Sequence, residues 1–359
     1  MINFTVGPVQ SDEETLAIGG TQVPYFRTPE FSNLMFENES LIKEFFDCPE
    51  NGKAVFLTGS GTAGMECSVM NFFTANDKVL VVNGGSFGHR FVELLEIHSI
   101  PHTEIHLEYG QELTADILEQ YNGQGYSGIA LQLCETSTGV LYDMNLVGNF
   151  CKKNNIFLLV DAVSGFMADK LSMSDMHINA AITGSQKALA LPPSTSVIVL
   201  DEYAVQKALS ANVKSMYFNL KDYLKNMERG QTPFTPAVQT LIQMNDRLKR
   251  IKQSGGIQNQ NEIIRKRAEY FRKQLTSFPF RMFVPESYAS NCVTAIEITG
   301  GPLNAKELFG KIKDEYKIWI CPNGGDLAEK VFRVGHIGNI TNQEIDLLIQ
   351  AFKEIYGGK

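Results

Sequence analysis

Three short stretches of this 359-residue chain bring together residue types that do chemistry. Thr58-Gly59-Ser60-Gly61-Thr62-Ala63-Gly64 follows the apolar run Ala54 to Leu57, and its small residues let backbone N–H groups approach an anion at the start of a helix. Gly59, Gly61 and Gly64 also match the dinucleotide fingerprint G-x-G-x-x-G. The next apolar run, Val79 to Val82, however ends in Asn83-Gly84-Gly85 rather than in the acid that would hold a ribose. The stretch reads as a phosphate site, with a tight turn or a dinucleotide site as alternatives. Asp161 stands directly after Ile156 to Val160, where a carboxylate is costly unless a cation meets it. It is a turn former or helix cap, or the counter-ion of a ligand. No metal is expected, because the six histidines show no ligand spacing. Lys187 closely follows the apolar Ala180-Ala181-Ile182. Most lysines are solvated surface charges, but one buried here, beside Gly184 and Ser185, would have a lowered pKa and a usable nucleophilic amine.

A phosphate turn, an acid after one strand and a lysine after another are what pyridoxal phosphate requires: an anchored phosphate, an amine for its aldehyde, and a carboxylate for its ring nitrogen. Such groups must be delivered by an α/β scaffold. Between about residues 53 and 205, short β-branched runs alternate with amphipathic stretches through Met65, Val69 and Phe72, through Phe91 to Leu95, and through Leu146 to Phe150. Near-continuously apolar strands separated by helices imply a mostly parallel sheet of about seven strands covered on both faces. In such sheets ligands collect outside the carboxyl ends of the strands, where all three stretches lie. Helical spacing over 237–275 is broken at Ser254-Gly255-Gly256. The pattern then changes to strand-like Cys292 to Ile298, helix-like Ala305 to Tyr316, strand-like Ile318 to Ile320 and Val331 to Val334, and a last helix from Asn342. The expected organisation is a large α/β domain over 15–255 and a small α+β domain over 256–359 joined by segment 1–14.

Composition narrows the partners. Apolar residues make up 43% and charged residues 20%, and 32 basic against 40 acidic side chains leave a net charge of −8. That balance argues against nucleic acid or an anionic membrane as partner, and Arg265-Lys266-Arg267 reads as a solvated helix face. No apolar run approaches the ~20 residues that cross a bilayer, and Met1-Ile2-Asn3-Phe4 lacks the start of a signal peptide. The six scattered cysteines read as reduced, mostly buried thiols. The expected location is the cytoplasm.

Taken together, Gly59 to Thr62, Glu135 to Gly139, Val160 to Ser164, Gly184 to Leu189, Pro233 to Pro236 and Phe332 to Gly338 resemble the motifs of the class V aminotransferases, fold-type I pyridoxal-phosphate enzymes. The resemblance runs from about Phe4 to the C-terminus and is strongest to the alanine–glyoxylate and serine–pyruvate aminotransferases. It implies that Lys187 holds the cofactor and moves the proton, while Asp161 faces the ring nitrogen. It likewise implies that Ser60, Gly61, Thr62 and Gln186 hold the phosphate, Thr136 lies near the ring's 3-oxygen, and Val163 and Phe87 cover the two ring faces. Thr235 would reach the phosphate of a partner subunit in a homodimer, Arg333 would grip the substrate carboxylate, and Gly7 would lie beside the substrate. Phe87 stands where relatives often have Trp or His, and Val6 to Gln10 only partly matches the usual Pro-Gly-Pro entry segment. The implied reaction moves an amino group between a small amino acid, of alanine or serine type, and a 2-oxo acid such as pyruvate or glyoxylate. Alternatives are a 2-aminoethylphosphonate–pyruvate aminotransferase, with Arg27 or Arg90 for the phosphonate, a cysteine desulfurase or lyase using Cys321, and a nicotinamide oxidoreductase.

Overall fold

The computed structural model describes residues 1–357; the last two residues of the expected small domain, 358–359, lie outside the described residues. Seven strands form the larger sheet: β1 (Lys53–Thr58), β2 (Val79–Asn83), β3 (His102–His106), β4 (Gly128–Gln132), β5 (Phe157–Asp161), β6 (Ala180–Gly184) and β7 (Thr195–Leu200). Their spatial order is β3-β2-β4-β5-β6-β7-β1, and β7 alone runs against its neighbours. Strands β4 to β7 are buried along their whole length, as apolar strands covered by helices on both faces must be. The sequence pattern missed β3. Only Ile105 of this edge strand is buried, so it carries no apolar run.

Helices α1 (Pro29–Phe45), α2 (Gly61–Phe72), α3 (Ser86–Ile97) and α4 (Met144–Asn154) belong to this layer, followed by α5 (Val238–Gln253) and α6 (Gly256–Gln274). The interruption expected at Ser254 to Gly256 separates α5 from α6. Gly255 and Gly256 have φ of 108° and 73°, left-handed values that favour glycine. Helix α1 gave no clear signal in the sequence reading. Its N-cap Thr28 accepts from the Phe31 N–H, and it buries Phe31, Met35, Leu41, Ile42 and Phe45 along one face.

The second sheet is antiparallel, β8 (Phe280–Met282), β9 (Val293–Ile298), β10 (Cys321–Pro322) and β11 (Val331–Gly335), in the order β8-β9-β11-β10. Its own core gathers Phe271 of α6, Phe280, Phe332 and, from α7 (Asn342–Tyr356), Leu348 and Phe352. The N-terminal segment joins the two cores. Phe4 lies in the second and hydrogen-bonds with Trp319 and Gly335, while Val6 and Val9 pack into the first.

A buried polar seam also crosses between the layers. Asp169 accepts from Ser290 Oγ at 2.5 Å and from the Asn291 N–H at 2.8 Å. Arg272 of α6 donates to Thr294 Oγ1, which lies 2.7 Å from His336 Nε2. One expectation fails nearby. Arg267 is not part of a solvated face; it reaches in to donate to the carbonyls of His336 and Gly338, and burial pushes its guanidinium down to about 10. Its neighbours Arg265 and Lys266 do sit on the surface, paired with Glu262. Among the described residues, no helix is long and apolar enough to cross a membrane.

Candidate active site

The carboxyl ends of β1, β2, β5 and β6 surround one cleft, lined by Ser60, Gly61, Thr62, Met65, Phe87, Arg90, Asp161, Val163, Ser164, Gln186 and Lys187. At its β1 side, Ser60 is the N-cap of α2 but makes no side-chain cap bond, so its hydroxyl and the first N–H groups of the helix remain for an anion. The glycines there have separate steric duties. A Cβ at Gly61 would lie 2.8 Å from Val163 Cγ2, and one at Gly64 would meet Ile182 at 2.8 Å, so Gly64 serves helix–sheet packing rather than a ligand.

Asp161 ends β5, with one oxygen accepting from the Val163 N–H at 2.8 Å. Burial pushes its carboxyl up to about 6, opposed by that N–H and by the Lys187 ammonium. Lys187 follows β6 in a loop fixed by bonds from Leu191 N to Ser185 O and from Ser185 Oγ to Pro192 O. Its side chain is 8% exposed. Burial lowers its pKa, against the opposing pull of Cys292 and Asp161. The amine donates to the Val6 carbonyl at 2.6 Å, so the N-terminal segment closes directly over it.

From the second sheet, Arg333 of β11 donates to Thr136 O at 3.0 Å and Pro322 O at 2.6 Å, while its Nε has no partner. Both bonds go to backbone carbonyls rather than to an acid. Thr136 is buried and donates to Ser164 Oγ at 2.7 Å. Phe87 lies in the first turn of α3, with the Arg90 guanidinium 4.9 Å from its ring centre. Thr235 is exposed and stands outside the cleft of its own chain.

The Aminotransferase class-V family model matches residues 25–338. The chain is a class-V aminotransferase. It is 30% identical over 345 residues to an uncharacterized aminotransferase of Methanocaldococcus jannaschii, covering 94% of this chain and 88% of that one. It is 25% identical to the L-aspartate–glyoxylate aminotransferase of Paracoccus denitrificans, across 94% and 87% of the two chains. The crystal structure of an alanine–glyoxylate aminotransferase from Nostoc sp. superposes with a TM-score of 0.93 at 25% identity, covering 99% and 94%.

A class-V aminotransferase works with pyridoxal phosphate, and the side chains present fit that group. The Asp161 carboxylate and the Gln186 amide line the cleft, and the helix N-terminus at Ser60 is uncapped. Of the residues expected to form the site, Ser60, Gly61, Thr62, Phe87, Asp161, Val163, Gln186 and Lys187 all line this cleft. Thr136 and Arg333 do not line it themselves: Thr136 bonds to Ser164, which does, and Arg333 donates to the Thr136 carbonyl. The sequence reading missed Ser164 and Met65, which line the cleft. It also gave Glu135 no role of its own. Arg90, weighed for a phosphonate, does line the cleft, whereas Arg27 is held by Gln231 and the Thr232 carbonyl. Cys321, expected in the core, is only half-buried and sits opposite Arg333 across the β10–β11 pair.

Gly7 lies against the lysine. A Cβ there would fall 2.7 Å from Lys187 Cδ and 3.0 Å from Nζ, and its φ of +128° disfavours any side chain. Gly7→Ala should therefore lower kcat by roughly five- to 150-fold, as overpacking by about 1–3 kcal/mol would. Steady-state kinetics checks this, and unchanged kcat would mean that the segment does not hold the amine.

Proposed function

We propose that this aminotransferase takes a small α-amino acid of alanine or serine type as donor and passes its amino group to a 2-oxo acid such as glyoxylate or pyruvate. The observation that carries the reading is Arg333, a guanidinium bonded only to backbone carbonyls, with a buried Nε left unpartnered, and near enough to the buried Lys187 amine to act on its charge. An α-carboxylate would meet it bidentately. The named relatives that act on glyoxylate support the acceptor class.

When bound, pyridoxal phosphate supplies an aldehyde that takes up the amino group and a ring that draws electrons from the carbon carrying it. The protein's residues do the rest. The α2 N-terminus with Ser60, Thr62 and Gln186 would hold the phosphate, and Asp161 would keep the proton on the ring nitrogen. Val163 and Phe87 would confine the ring, Thr136 would serve its 3-oxygen, and Gly7 would border the substrate. The amine at Lys187 Nζ, its pKa lowered by burial, would take the proton from the donor's α-carbon and return it one position away. The Val6–Gly7 segment excludes water from that amine.

The enzyme is proposed to be a homodimer, working in a compartment that keeps thiols reduced. Thr235 is exposed beside Phe234, whose ring stacks on Tyr217 at 5.0 Å. Tyr25 at 70% and Met216 at 78% exposure leave apolar surface in the same region. A second subunit covering that surface would bring Thr235 to its neighbour's phosphate site. Light scattering that shows a monomer at assay concentration would overturn this part.

The deciding assay sets L-alanine and L-serine with glyoxylate or pyruvate against 2-aminoethylphosphonate with pyruvate. Turnover of the α-amino acids with little of the phosphonate is expected; the reverse preference would overturn the donor assignment. Arg333→Lys should raise KM for the α-amino acid roughly ten- to a hundredfold, because one ammonium cannot reproduce the planar two-point contact. An unchanged KM would remove Arg333 from carboxylate binding.

A further inference from the structure

A second buried acid stands at the cleft's edge with no part in the chemistry above. Glu135 is fully buried. Its carboxylate accepts from the Gly88 N–H at 2.9 Å, the Phe87 N–H at 3.2 Å, the Ser137 N–H at 3.1 Å and Ser137 Oγ at 2.5 Å. Two of these donors open α3, whose N-cap is Gly85 and which receives no side-chain cap bond from its own sequence. A carboxylate delivered from a different part of the chain therefore satisfies the free N–H groups and meets the positive end of the helix dipole.

The cap is built for this contact. A Cβ at Gly85 would run into Ser137 Oγ and fall 2.6 Å from Glu135 Cδ and 2.7 Å from Cγ, so only a glycine lets the acid and its Ser137 partner approach. The φ of Gly85 is 167°, extended backbone open to any residue, so the need for glycine is one of space alone. The chain just after the capping acid meets the second sheet and the segment that follows β10. The next residue's carbonyl, Thr136 O, accepts from Arg333, and the Ser137 carbonyl accepts from Asn323 at 2.9 Å.

We propose that Glu135 is the positioning residue that locks the Phe87 ring against the cofactor and sets the Thr136 carbonyl on which Arg333 rests. It touches neither cofactor nor substrate; it acts through the helix backbone it caps and through the backbone that follows it. The proposal rests on the pyridoxal-phosphate reading of the cleft.

The test uses Glu135→Gln, whose amide keeps the volume but can accept through one oxygen only. Cofactor-stripped protein is titrated with pyridoxal phosphate, and the circular dichroism of the bound cofactor, which reports ring orientation, is recorded beside KM and kcat. Expected are a cofactor Kd raised about tenfold, the size of losing a helix cap, an altered cofactor dichroism, and a raised KM for the amino donor. A folded Glu135→Gln protein with wild-type Kd, dichroism and KM would overturn the proposal. Should that variant fail to fold, Gly85→Ala provides the second arm, because it pushes the carboxylate off the helix without changing its chemistry. The same spectral and Kd changes would support the proposal, and wild-type values would overturn it. Wild-type protein that fails to bind pyridoxal phosphate would instead sink the cofactor reading itself.

Discussion

Lys187→Ala should lower transamination by on the order of 10⁴-fold or more, because in the proposed roles one substitution removes both the amine that would join the cofactor's aldehyde and the base that would move the α-proton. The fold should survive. The Lys187 side chain makes a single hydrogen bond, to the Val6 carbonyl, and its removal also relieves the burial of an ionisable amine. The visible absorption of the lysine-bound cofactor should disappear, while far-ultraviolet dichroism and oligomeric state stay as in the wild type. Exogenous small amines should restore part of the proton transfer if the amine alone is missing. Turnover within tenfold of wild type would move the reaction away from Lys187.

Asp161→Asn should reduce kcat/KM by on the order of 10²–10³-fold, the scale of losing one preorganised electrostatic partner. An amide cannot hold the ring nitrogen's proton as a carboxylate does. Asp161 also predicts a pH signature, since burial pushes its carboxyl up to about 6 in the cofactor-free protein. The Lys187 and Arg90 cations oppose that shift, and the Glu135 carboxylate adds to it. Below pH 6 the acid takes a proton and can no longer face a protonated ring nitrogen. Cofactor affinity should then fall toward tenfold per pH unit, a fall absent in Asp161→Asn.

Stability without cofactor should run the other way. Asp161 and Asp169, also raised to about 6 by burial, bind protons more tightly folded than unfolded. Their contribution is therefore complete below about pH 4, near the unfolded value, and is lost as the pH rises to 6. Thermal melting of cofactor-free protein between pH 4 and 7 checks the sign. A cofactor affinity flat across that range would leave Asp161 without the assigned role.

Much of the site could be read from order along the chain, because a buried parallel strand betrays itself as an apolar run and the residue after it lies at the ligand edge. Asp161 after Val160, Lys187 after Ile182 and Ser60 after Thr58 are placed by that rule alone. The resemblance supplied roles that no spacing could: Arg333, Phe87 and Gln186 sit among residues with equally good structural uses. The edge strand β3 and helix α1 escaped because an element half in water carries a diluted apolar pattern. Glu135 escaped for a different reason. Its function lies in donors on another element, Phe87 and Gly88, nearly fifty residues earlier in the chain.

The linear code thus determined which strands are buried, hence where the acid, the amine and the glycine-rich turn emerge, because burial of apolar runs is a local property of composition. Tertiary structure alone decided that Val6 closes on Lys187, that Arg267 turns inward while Arg265 does not, and that Glu135 caps a helix it does not belong to. Each of those contacts joins segments far apart in sequence. Each depends on distances of a few ångströms that exist only once two hydrophobic cores have packed against one another.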